Sequence, residues 1–323
     1  MSSTASGTRA HTVPRFYLNG FTAAPLNSSH EPCVWVASLK TGQIKQRSPK
    51  NISIYRGAYD GTGGFSELDK TIEAHLAAIE SAAAPAIRKF ASLPMGSGAA
   101  VKPEVTRFLG WLACRTLPFQ EAMERWINES PFMGEECFVE PPPPGFEKTS
   151  DRLHPVRMED PETGDHCEVF SPAEADAFRR KGWRVVFQRE DHLELMHWQA
   201  WYFQVRHFPR LSWARLRAPG GKFFITSDRP VAWFADGYAG APPSWLRLPS
   251  ALVIAPLTKK LALVGCQSTP DFIITPREVN RMTAFLASEW VAGPTKRVVE
   301  QALYDHQTIS IPESEWLLGL DRL

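Results

Sequence analysis

Near its N-terminus the chain reads HTVPRFYLNGF, His11 to Phe21. A histidine can serve as a base or ligate a metal, and an arginine can hold a phosphate. Pro14 favours extended backbone at Val13. In an extended run His11, Val13 and Arg15 share one face while Thr12 and Phe16 lie on the other. This spacing aims His11 and Arg15 into one pocket while the aromatics anchor the segment; a histidine that merely bonds a neighbouring element is the competing reading. A second group is FFITSDRPV, in which an apolar strand from Phe223 to Ile225 delivers Thr226, Ser227 and Asp228, and Pro230 stops the pairing. Polar groups at the end of a buried strand sit on a rigid scaffold. Asp228 is placed to bind a metal or orient His11, or else to bond its own backbone in an Asx-type turn. The third group is Glu73 and Glu80, seven residues apart and so on one side of a helix. Paired carboxylates suit a divalent ion such as Mg²⁺ or Mn²⁺, with a solvated helix edge as the alternative.

Other chemistries lack their motifs. In HLELMH, His192 and His197 are five residues apart and lack the HExxH order of a zincin. There is no GxSxG, P-loop or GxGxxG sequence. The five cysteines, at 33, 114, 137, 167 and 266, show no zinc spacing and read as reduced thiols of a cytoplasmic protein.

Several elements must position these groups. CVWVASLKTGQIKQRSP reads as a β-hairpin with Gly42 in the turn. Leu68, Ile72, Leu76, Ile79, Ala83 and Ile87 form one stripe of a long helix, with a kink or break expected at Pro85. A second helix is expected from Pro103 to about Asn128, with Pro118 placed to kink it. The stretch 131–170, containing VEPPPPGFEKTSD, reads as an acidic, Pro-rich surface excursion, because proline lacks a donor and fixes φ. Ser171, Pro172 and Glu174 open a short helix that Gly182 closes, and residues 189–208 read as a third major helix. Residues 211–225 read as another hairpin around Gly220–Gly221, and two strands flank Thr258–Lys260. Thr275, Pro276 and Glu278 form a capping box for a late helix, and a last helix follows Pro294. The expectation is a single α+β domain over 11–323 behind a flexible leader, 1–10. It is mostly helical, with an N-terminal hairpin and a central antiparallel sheet.

The net charge is only +1 and 43% of the 323 residues are hydrophobic. This is enough for a sizeable core and excludes polyanion binding by bulk charge. No apolar run is long enough to span a bilayer, so no membrane partner is expected. The charge is nonetheless segregated. No acid lies between Glu31 and Asp60, where Lys40, Lys45, Arg47, Lys50 and Arg56 fall. None lies between Glu194 and Asp228, where Arg206, Arg210, Arg215, Arg217 and Lys222 fall among Trp198, Trp201, Tyr202, Phe203 and Trp213. Residues 121–168 hold thirteen acids against four bases. Basic stretches interleaved with aromatics suit nucleic acid; buried aromatics beneath a solvated basic face are the simpler reading.

The ordered set HTVPRFYLNGF, VWVASLKTGQIKQRSPKNIS, IEAHLAAIESAAAPAIRKF, FFITSDRPV and EVNRMTAFLASEW resembles a bacterial family catalogued as domain of unknown function 4238. The resemblance covers most of residues 11–292. It implies that His11, Pro14, Tyr17, Lys50, Glu73, Glu80, Ser227, Asp228, Pro230 and Asn280 are family-typical positions, and it supplies no reaction. Arg229 departs from the small polar residue of the pattern, and Thr258–Lys259 replaces its Ser-Pro. The resulting expectation is a hydrolase of nucleic-acid or nucleotide phosphodiesters, with a role in phage defence or as a toxin. His11, Asp228 and Glu73 are its catalytic candidates. Asp228, Glu73 and Glu80 are candidate Mg²⁺ or Mn²⁺ ligands, and Arg15, Tyr17, Lys50, Ser227 and Asn280 candidate substrate contacts. The alternative is a non-catalytic module that binds nucleic acid or protein, and a regulatory protein partner fits either.

Overall fold

The computed structural model describes residues 9–23, 31–56, 67–93, 100–121, 128, 156–169, 172–186, 196, 199–201, 203–235, 238–239, 249–267 and 274–308. The first described element is β1 (Arg9–His11), which pairs antiparallel with β4 (Ile54–Arg56). Between them lies the expected hairpin, β2 (Val34–Ser38) and β3 (Ile44–Arg47). Gly42 sits in its turn at φ 68°, a conformation that glycine adopts without steric cost.

This hairpin belongs to a four-stranded sheet of order β3-β2-β14-β9, where β9 is Thr226–Ser227 and β14 is Trp290–Gly293. Side chains alternate across it. Val34, Val36, Trp290 and Ala292 join the main core. Ala37 and Val291 join a smaller core under α5 (Pro276–Leu286) and α6 (Lys296–Thr308). A five-stranded sheet runs β11 (Tyr238–Ala239), β10 (Ala232–Ala235), β12 (Leu252–Thr258), β13 (Leu261–Cys266), β8 (Ser212–Arg217). β12 and β13 are almost wholly buried and turn at Lys259–Lys260, as read from the sequence. Gly265 lies beneath the Trp213 ring; a Cβ there would sit 2.9 Å from ring carbons, so glycine is what lets the indole lie flat. A three-stranded sheet, β6 (His166–Val169), β5 (Val156–Glu159), β7 (Arg184–Val185), packs with α4 (Pro172–Arg179) around its own small core of Met158, Val169, Ala175 and Val185.

A mostly helical molecule with one central sheet is therefore corrected. Among the described residues, antiparallel sheets of five, four and three strands, besides the β1–β4 pair, are spread along the chain. The hairpin expected over 211–225 is also replaced. β8 pairs with β13, while Phe223 to Ile225 is held by other groups: the Phe224 N–H donates to Lys259 O at 3.0 Å, and the Asn280 carboxamide takes its neighbours. Of the stretch read as an excursion, residues 156–169 form the β5–β6 hairpin, and 129–155 lie outside the described residues. Asn128 carries out a strand's role there. Its amide donates to Val185 O at 3.0 Å and its carbonyl accepts from Val185 N–H at 2.7 Å, closing the edge of β7.

Among the helices, α1 (Arg15–Asn19) begins directly after Pro14. Thus the extended run expected over 11–15 ends early, and His11 and Arg15 do not share a strand face. α2 (Glu67–Ser92) runs continuously through Pro85, which occupies an exposed position, so no break occurs. Leu76, Ile79, Ala83 and Ile87 form its buried stripe as expected. α3 (Pro103–Cys114) ends at a turn, Arg115–Thr116, and helical residues resume at 117–121 and at 128, so the expected helix is interrupted just before Pro118. α5 carries the capping box: Thr275 N–H donates to Glu278 Oε2 and Glu278 N–H to Thr275 Oγ1. Of the third major helix, only residues 196, 199–201 and a π-helical turn, Phe203–His207, are described.

Candidate functional site

His11 ends β1 opposite Ile54, half-buried. Its Nδ1 lies 3.2 Å from Ile52 O. A carbonyl can only accept, so in the neutral ring Nδ1 carries the proton and Nε2 is the basic nitrogen. The carbonyl is presented by an unusual backbone. Ser53 has φ 55°, in the left-handed region that a side chain disfavours. Three contacts hold it there: Thr12 N–H donates to Ser53 O at 3.1 Å, Val13 N–H to Ser53 Oγ at 3.0 Å, and the Thr12 and Ser53 hydroxyls share a 2.5 Å hydrogen bond. Strain of this kind persists where its surroundings over-determine it.

Arg115, in the turn after α3, fixes the backbone of His11. Its Nη2 donates to His11 O, and its Nη1 forms a 2.6 Å ion pair with Glu80 of α2. Arg115 is 5% exposed. A buried guanidinium with a paired carboxylate and a carbonyl acceptor meets the condition under which burying charge is tolerated. The sequence reading missed Arg115. Its signal was there: a lone cation inside the apolar run GWLACRTLPF has to find a partner.

The other sequence candidates serve different ends. Asp228 follows β9 and is buried. Its carboxylate accepts N–H groups from Ser288 at 3.1 Å to both oxygens, from Glu289 at 3.0 Å and from Trp290 at 3.5 Å. Burial pushes its pKa up to about 6, against the pull of these N–H groups and of Arg229. It therefore holds the turn between α5 and β14, a distant segment rather than the local backbone of an Asx-type turn. Ser227 Oγ donates to Arg229 O at 2.9 Å and accepts from Arg229 N–H at 3.1 Å, closing the same corner. Asn280 accepts from Ile225 N–H at 3.0 Å and donates to Phe223 O at 2.9 Å, tying α5 to the segment that leads into β9. Tyr17 is fully buried; its hydroxyl donates to Pro256 O at 2.5 Å and lies 3.0 Å from Thr226 Oγ1. Burial drives that phenol far above its ordinary pKa. All four are tied into the framework by these bonds.

Lys50 pairs with Glu31 at 2.7 Å on the surface, and Arg15 is exposed at the start of α1. The side chain of Glu73 lies outside the described residues, although its backbone belongs to α2. Among the described residues no group of three or more His, Cys, Asp and Glu side chains gathers in a metal-holding arrangement. Asp228 and Glu80 are engaged separately, one by backbone N–H groups and the other by Arg115. Sequence reasoning also passed over Tyr55. Its hydroxyl donates to Glu289 Oε2; burial, then this hydrogen bond, then the charges of Glu289, Asp228 and Glu121 raise its pKa.

The model of one family matches residues 9–297, most of the chain and every element that builds this site. The chain belongs to the DUF4238 family. Its description is a protein of unknown function. Comparison with curated proteins and with solved structures gives no match. The DUF4238 match begins at the first residue of β1, so the segment carrying His11 lies inside the family's domain. No described helix is long and apolar enough to cross a membrane.

Proposed function

We propose that this DUF4238 protein hydrolyses phosphodiester bonds in nucleic acids or nucleotides, with His11 as the base. The observation that carries this reading is the imidazole held by Ile52 O, which leaves Nε2 as its basic nitrogen. A base acts well when a second bond fixes its tautomer and orientation. Here the fixing group is a carbonyl set by a strained residue, and the histidine's own carbonyl is gripped by the buried Arg115–Glu80 pair. Nε2 takes the proton of an attacking hydroxyl as the new P–O bond forms, and the leaving oxygen departs with a proton from solvent. Arg15 is an exposed cation that can face phosphate at the surface, and Lys50 can do so on exchanging Glu31 for it.

The test is cleavage of total RNA, tRNA, single-stranded DNA and duplex DNA by the purified protein, with Mg²⁺, with Mn²⁺ and with EDTA. The reading expects cutting of at least one substrate and its loss in His11→Gln. Cutting that stops in EDTA would add a metal to the proposal; cutting that persists would remove it. No cutting of any substrate would overturn the reading and favour a non-catalytic binding module, for which the exposed basic strand β3 is the supporting observation.

A further inference from the structure

The two basic stretches have different fates. In the second, Arg215 and Arg217 are used internally. Arg217 donates to Ala91 O and Leu93 O, and Arg215 to Leu93 O, at the C-terminal end of α2, where cations complement the helix dipole. Arg215 also lies over the Phe90 ring at 5.0 Å. Phe203 and Phe208 are buried and Trp213 lies on Gly265. These aromatics are core, so base stacking has no support from them.

The first stretch is organised otherwise. Lys40 lies in the β2–β3 turn, and Lys45 and Arg47 lie on β3, the edge strand of its sheet. All three are exposed, and among the described residues none has an ion-pair or side-chain hydrogen-bond partner. By register Lys45 is opposite Val36 and Arg47 opposite Val34. Both cations therefore project on the main-core side of the sheet, about 6.6 Å apart along the strand. The other side, with Ile44 and Trp35, is taken by α5 and α6. From Arg47 the chain passes through a 3₁₀ turn, Pro49–Asn51, to Ile52 and Ser53, the residues that orient and strain the His11 corner. Lys50 lies in that turn. No acid occurs from residue 32 to residue 59.

We propose that the β2–β3 hairpin is the surface that tracks the phosphate backbone of a nucleic-acid strand, with Lys45 and Arg47 as its principal contacts and Lys40 at its far end. Uncommitted cations of one sign on a strand that carries no acid make a field that attracts a polyanion. Contacts of this kind position a strand and carry no base preference. The inference rests on the phosphodiester reading only for its choice of polyanion, and binding can be measured without cleavage.

The experiment measures fluorescence anisotropy of a labelled mixed-sequence single-stranded RNA against the full chain and the double variant Lys45→Glu/Arg47→Glu, over a range of salt. His11→Gln is the control. The parent is expected to bind with salt-dependent affinity. The double variant binds more weakly at every salt concentration, and its log–log salt slope is flatter by about 1.4, the loss of two phosphate contacts on a single strand. Both sites are exposed, so thermal melting should be unchanged. His11→Gln should bind like the parent. Binding by the double variant equal to the parent's would overturn the proposal and leave β3 as a charged edge that merely prevents strand pairing. Binding of polyglutamate in place of RNA would overturn it in favour of an acidic protein partner. If β3 binds RNA and nothing is cut, the catalytic reading fails and this one stands; if His11 is needed for cutting and β3 is dispensable for binding, the reverse holds.

Discussion

Removing the Asp228 carboxylate takes the acceptor from three backbone N–H groups at 288–290. Asp228→Ala should lower the unfolding free energy by about 2–3 kcal/mol, read from the urea midpoint. A pH dependence accompanies it. The folded pKa of about 6 lies above the ordinary 3.8, so the native chain holds this proton more tightly than the unfolded chain does. Its contribution is full below pH about 3.8 and is lost as pH rises through about 6. The stability advantage of the parent over Asp228→Ala should therefore grow as pH is lowered from 7 towards 4, by no more than about 1.4 kcal/mol per pH unit. A flat or opposite trend would mean that the N–H groups outweigh burial. The SDRP corner was legible as a polar cluster, yet its use was not. Whether its carboxylate faces a ligand or a turn depends on residues sixty positions later, and no local spacing encodes that.

At the scale of elements, Asn280 stands where the sequence reading and the structure part most clearly. Its family-typical position suggested a substrate contact, whereas its carboxamide replaces a hairpin by taking the backbone of Phe223 and Ile225. Asn280→Ala should cost about 1–3 kcal/mol by chemical denaturation. Asn280→Asp should not restore it, because a carboxylate would face Phe223 O. Recovery of full stability with Asp would contradict this bridging role. Elements set by local rules were read well: the β2–β3 hairpin from its Gly turn, α5 from its capping box, and β12–β13 from apolar runs around a polar turn. Those decided by distant partners were not. β8 alternates like a hairpin strand but pairs with β13, and α3 stops where Arg115 turns inward to Glu80 and His11, although its sequence continues as helix.

Across the whole molecule, net charge conceals a division of labour: Arg215 and Arg217 of one basic stretch are spent on the C-terminus of α2, while Lys45 and Arg47 of the other stand exposed on an edge strand. The cores are divided too. Residues 156–169 and 172–186 pack around a core of their own, joined at β7 by Asn128. Hydrogen exchange should show the amides of β5–β7 opening at lower free energy than those of β12 and β13, which are buried in the main core. Equal protection in both would mean one cooperative unit.

The proposed hydrolase turns on His11, so the most direct measurement is the rate at which His11→Gln cleaves the substrate cut fastest by the parent, with melting curves of both proteins run alongside. The account predicts a loss of about 10²–10⁴-fold at an unchanged melting temperature. Cleavage at the parent's rate, or a loss explained by unfolding, would contradict it.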